Sequence, residues 1–138
     1  MWPVYALLSA FFAALVAILA KIGIAGIDSN LATAIRTVVI LLMTWGIVFL
    51  TVPLSNLKTL TLTNWTFLIL SGLATGLSWM FYFKALQLGP VSKVAPLDKL
   101  SVAFAIVLSF FVLKESISWQ VLGGGLLIIS GSLLLLWK

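Results

Sequence analysis

Residues Trp2 to Ile24, WPVYALLSAFFAALVAILAKIGI, hold one charged side chain, Lys21, in a run otherwise made of apolar, small and hydroxyl residues. Roughly 20 such residues make a helix long enough to cross a hydrocarbon core of about 30 Å, so the stretch reads as a membrane span. It lacks the basic leading segment of a secretory signal and exceeds the length of a signal's apolar core, and is therefore expected to be retained. Four further apolar runs follow, at about 31–52, 65–88, 91–113 and 117–137. The breaks between them carry turn chemistry: Gly26-Ile27-Asp28-Ser29-Asn30 is a polar turn, Pro53 stops the second run, Gly89-Pro90 the third, and Lys114-Glu115-Ser116 the fourth. In lipid a helix satisfies its own backbone polar groups and an open sheet cannot. The expected fold is an all-α membrane protein, one domain over 1–138 with five transmembrane helices. The connection 53–64, where Leu57, Leu60 and Leu62 alternate with Lys58, Thr59, Thr61 and Thr63, is too short to cross and is expected to lie along the interface.

Composition narrows the function. With 63% hydrophobic and 8% charged residues in 138, the spans use up the chain and leave nothing for a soluble domain. The sequence has no cysteine and no histidine, which removes disulfides, thiolate chemistry, the usual zinc ligands and the commonest general base. Three acidic residues, with no phosphate loop and no serine-nucleophile elbow, give no catalytic constellation. An enzyme is not expected, nor a cofactor, nor a metal. The net charge of +5 comes from basic residues scattered singly between apolar runs, which does not make a nucleic-acid surface.

Ionisable groups inside a span cost about 2.5–3.5 kcal/mol each on insertion scales, so those that remain are candidates for function. Lys21 ends the first run on a face lined by Ala6, Ala10, Ala13, Ala17 and Ala20, and Arg36 lies about a turn and a half into the second. Either could also reach the headgroups. In the third run Ser71, Thr75, Ser78 and Tyr82 share one face, flanked by Trp79 and Phe83 and closed by Lys84 and Gln87. Such hydroxyls can bond their own backbone, or line a polar path. The fourth run contains Pro96, expected to kink the helix and free the carbonyl of Ser92, with Lys93, Asp98, Lys99 and Ser101 around it. Asp98 and Lys99 are expected to pair with each other, or with Lys84 or Lys93, across the bundle.

Helices associate in lipid through small residues that let backbones approach. Gly72 and Gly76 form a GxxxG pair in the third run; Gly123 and Gly124 recur one heptad later as Ser130 and Gly131 in the fifth. The seams of the first and third runs are expected within one bundle. That of the fifth, among Leu126, Leu127 and Leu133 to Leu136, is expected to meet a second copy.

The run Ala85-Leu86, then Gly89-Pro90-Val91-Ser92-Lys93-Val94-Ala95-Pro96-Leu97, Leu113-Lys114-Glu115-Ser116 and Gly123-Gly124-Gly125-Leu126-Leu127-Ile128-Ile129-Ser130-Gly131 resembles the EamA domain of the drug/metabolite transporter superfamily. Lys21 and Arg36 hold similar places in that domain, so the likeness covers essentially the whole chain. It implies the single-unit, five-span type of bacteria and archaea, a multi-pass protein of the prokaryotic inner membrane working as a homodimer, parallel or antiparallel. It further implies a cavity lined by Ala95-Pro96-Leu97 and the face of Trp79 and Tyr82, with the fifth helix supporting dimerisation and Glu115 acting as a structural cap. Smaller multidrug exporters of the superfamily carry an embedded glutamate in the first helix; here that helix has no acid.

The leading expectation is a secondary transporter of a small polar metabolite working by alternating access. The candidate substrate-binding residues are Trp79, Tyr82, Lys84, Lys93, Asp98, Lys99, Arg36 and Lys21, and the candidate dimer interface is Gly123, Gly124, Ser130 and Gly131. The excess of cations over Asp98 points to an anionic or zwitterionic solute. Two alternatives are proton-coupled efflux of cationic drugs, with Asp98 as the embedded acid, and a non-transporting membrane subunit that stabilises a partner.

Overall fold

A computed structural model describes residues 1–137. Every regular element among them is helical: α1 (Trp2–Gly23), α2 (Ser29–Thr51), α3 (Leu62–Leu88), α4 (Val91–Asp98), α5 (Ser101–Leu108) and α6 (Trp119–Leu134), with a 3₁₀ helix at Leu54–Thr59 and a π turn at Ser109–Leu113. Among the described residues four helical stretches are long and apolar enough to cross a membrane: Trp2–Gly23, Ser29–Thr51, Leu62–Leu88 and the composite Val91–Leu113. The 16 residues of α6 rise only about 24 Å; turn hydrogen bonds from Leu136 and Trp137 to the carbonyls of Leu133 and Leu134 carry the winding a little further.

Local chemistry sets the boundaries. Gly26, at φ +77°, supplies the left-handed residue that the α1–α2 turn requires. Asp28 then caps α2, its carboxylate accepting from the backbone N–H of Asn30 at 2.8 Å and Leu31 at 3.2 Å. Along α2 the hydroxyls of Thr33, Thr37, Thr44 and Thr51 donate to carbonyls one turn back, which hides them from lipid. Val52 is extended before Pro53, as a residue preceding proline favours. The third helix begins at Leu62, three residues earlier than hydropathy suggests, because Thr61 and Asn64 exchange side-chain and backbone bonds in a capping box.

The fourth run is where expectation and structure differ most. Pro96 sits inside α4, but the interruption lies beyond it, at Lys99 and Leu100. Four bonds there, Lys99 to Pro96, Leu100 to Leu97, Val102 to Lys99 and Ala103 to Leu100, each 3.0 Å, close three-residue turns, so the chain tightens into 3₁₀ winding. At the far end Lys114, at φ 56°, and Glu115 both donate backbone N–H groups to the carbonyl of Ser109. This is a left-handed helix cap. Capping here is by the backbone N–H of Glu115, where a capping role for the residue was expected.

The chain divides into two compact units, one of Ala20–Gln87 and one of Met1–Leu19 with Leu88 onward. In the first, Ala20, Ile24, Ser29, Ala32, Thr33, Phe83 and Leu86 are buried: the end of α1, the first turns of α2 and the last turns of α3. In the second, Gly125 and Ser132 of α6 are buried. Large apolar side chains elsewhere point outward, such as Leu50 at 88% and Phe81 at 74% exposed, an arrangement that suits hydrocarbon surroundings and not water.

Candidate functional site

Within the unit Ala20–Gln87 the 3.6-residue period puts Trp79, Tyr82, Phe83 and Leu86 on one face of α3, and Ser29, Ala32, Thr33 and Arg36 on one face of α2. The two faces meet at Arg36. Its guanidinium carbon lies 4.4 Å from the centre of the Phe83 ring and 5.4 Å from that of Trp79, within cation–π range of both. Tyr82 stands edge-on to Phe83 at 5.8 Å. Arg36 Nη1 is buried and has no hydrogen-bond partner. No carboxylate among the described residues pairs with it: Asp28 caps α2, and the ion pair that forms is between Lys99 and Asp98.

Next to this group the helix ends are tied by polar side chains. Lys21 Nζ donates to the carbonyl of Leu86, which answers the last turn of α3, where carbonyls lack helical partners. Gln87 Nε2 donates to the carbonyl of Ile27 at 2.8 Å, and Lys84 Nζ to Gln87 Oε1 at 3.2 Å. Lys21 is thus half-buried and Lys84 exposed. In the hydroxyl line of α3, Thr75 donates to the carbonyl of Ser71 at 2.8 Å, one turn back on its own helix.

In the other unit Lys93 is exposed. Asp98 and Lys99 approach each other, Oδ2 to Nζ, at 3.8 Å, with side chains 40% and 54% exposed. They pair as neighbours and are more open than their depth in the apolar run suggests. The carbonyl of Pro96 accepts from the hydroxyl of Ser132 at 2.9 Å as well as from the N–H of Lys99. A Cβ on Gly125 would come within 2.9 Å of Ile106 Cδ1, whereas one on Gly123, Gly124 or Gly131 would meet nothing within 4 Å. So α6 carries two small-residue seams one position apart. Gly125 and Ser132 face α5 and α4; Gly123, Gly124, Ser130 and Gly131 are exposed. The inward pair went unread in the sequence although it shares the heptad spacing of the outward one.

An all-helical chain with this many apolar, membrane-length helices is a multi-pass membrane protein. The profile of the EamA-like transporter family matches residues 1–137, and the chain belongs to that family of membrane transporters. A protein of Sinorhizobium sp. named as an uncharacterized transporter in the cobO 3′ region is 47% identical over 134 residues, which cover 97% of this chain and 95% of that one. No solved structure matches the chain significantly.

Proposed function

We propose that the chain is half of a secondary transporter for a small polar metabolite, a single five-span domain that works as a homodimer by alternating access in a prokaryotic inner membrane. The observation that carries this reading is Arg36, a guanidinium held over two aromatic rings inside a membrane helix with no acid beside it. An intramembrane charge lacking a counterion marks a solute or ion path far better than it marks packing. Family membership supports transport. The fifth span would be α6 with the turns through Trp137, and the open seam at Gly124 and Gly131 suits a second copy. In the fourth run, a helix holding Pro96 and breaking at Lys99 resembles the interrupted helices on which transporters build sites. Efflux of cations through Asp98 is less favoured, because Lys99 stands 3.8 Å from that carboxylate.

The test is flux. Proteoliposomes holding the purified chain are loaded with a mixture of small polar metabolites, and release is followed by mass spectrometry. At least one solute should leave in a protein-dependent way, and Asp98→Asn or Lys99→Gln should abolish its movement while the dimer persists. Release no faster than from empty liposomes for every solute would reject the reading.

A further inference from the structure

Arg36 is the least balanced group in the described chain. A guanidinium offers five N–H donors in one plane and accepts nothing. Phe83 and Trp79 attract its charge through their ring faces but give its in-plane N–H groups no acceptor, and Nη1 is left buried without one. The acids of the chain are engaged or remote from it in sequence: Asp28 accepts from Asn30 and Leu31, Asp98 faces Lys99, and Glu115 follows the fourth run. The hydroxyls of Thr33 and Thr37 donate to their own helix. Among the described residues, therefore, no carboxylate forms an ion pair with this cation.

We propose that Arg36 anchors the carboxylate of an organic monoanion, with Trp79, Phe83 and Tyr82 receiving its apolar body; the site rests on the transporter reading above and names the class of its solute. Rings lying against the guanidinium leave its edge as the approach, and along that edge two N–H groups match the two oxygens of a carboxylate. Charge selects carboxylate over phosphate. A phosphate dianion calls for a second cation; Lys84, on the same helix as the rings, donates to Gln87, and Lys21 donates to the carbonyl of Leu86.

The full chain in lipid nanodiscs is titrated with phenylacetate, phenylacetamide, phenyl phosphate and phenethylamine, which share an aryl body and differ in the group offered to Arg36; the unfolding midpoint is the readout. Phenylacetate should raise it saturably, and the neutral amide should bind about tenfold more weakly or less. Arg36→Gln should lose a similar factor for phenylacetate, with Arg36→Lys between. No response to phenylacetate, equal responses to acid and amide, or tighter binding of phenyl phosphate overturns the proposal on the unmutated chain alone, whether or not the variants fold. So does an unchanged response in a folded Arg36→Gln chain. Flux is measured separately: Arg36-dependent binding without movement sinks the transport reading and leaves the anion site, whereas movement of other solutes without carboxylate binding does the reverse.

Discussion

Lys114 holds a left-handed backbone at φ 56°, a conformation that costs a residue with a Cβ about 1–2 kcal/mol. The cap needs that geometry, since it brings the N–H groups of Lys114 and Glu115 to the carbonyl of Ser109. Glycine adopts it freely, although it also gains freedom in the unfolded chain. Lys114→Gly should therefore stabilise the protein by about 0.5–1 kcal/mol, seen as a higher unfolding midpoint in detergent; a lower midpoint would mean that the lysine side chain contributes more than the strain costs. A helix-ending turn was readable at Lys114-Glu115-Ser116. Its handedness was not, because lysine rarely takes that conformation and only tertiary context decides it. Arg36 shows the same limit from the other side. Its depth in the second run was plain, but the rings against it lie more than 40 residues away in sequence, and no local pattern encodes such a pairing.

Helix pairs are governed by which face of α6 turns inward. Gly125 lets Ile106 approach to where a Cβ would sit 2.9 Å away, and Ser132, two turns later on the same face, bonds Pro96 at 2.9 Å. Because Ile106 Cδ1 is the flexible end of a side chain, Gly125→Ala should be tolerated, whereas Gly125→Leu should cost about 1–3 kcal/mol of overpacking. Ser132→Ala should cost about 0.6–1.7 kcal/mol and speed hydrogen exchange at Lys99 to Ala103, where the winding is already strained toward 3₁₀. A drop in stability from Gly125→Ala equal to that from Gly125→Leu would contradict this geometry. Element boundaries were legible where glycine, proline or Asp28 punctuates the chain, and four runs end within a residue of their apparent limits. They were not where a cap made of Thr61 and Asn64 extends α3, nor where α4 and α5 separate beyond Pro96. Hydropathy is blind to both, since each depends on where single backbone bonds go.

On the scale of the whole molecule, side chains as large as Leu50 and Phe81 stand open, so lipid and any second copy supply most of the cover for its apolar surface. The outward seam of α6 offers a clean test of the second copy. Gly124→Leu and Gly131→Leu add side chains into space that the chain itself leaves empty; they should leave the helical content and the midpoint of the monomer within about 0.5 kcal/mol of wild type while converting dimer to monomer by mass photometry in nanodiscs. A dimer that persists with both substitutions would move the interface off α6. The bond from Ser132 to Pro96 also has a consequence in time. The two residues are 36 positions apart, and at about 5–20 residues per second the ribosome delivers the hydroxyl roughly 2–7 s after the carbonyl it serves. Until Ser132 has been made, the carbonyl of Pro96 lacks that hydroxyl donor, so the interruption of the fourth helix is the last part of that run to be clamped.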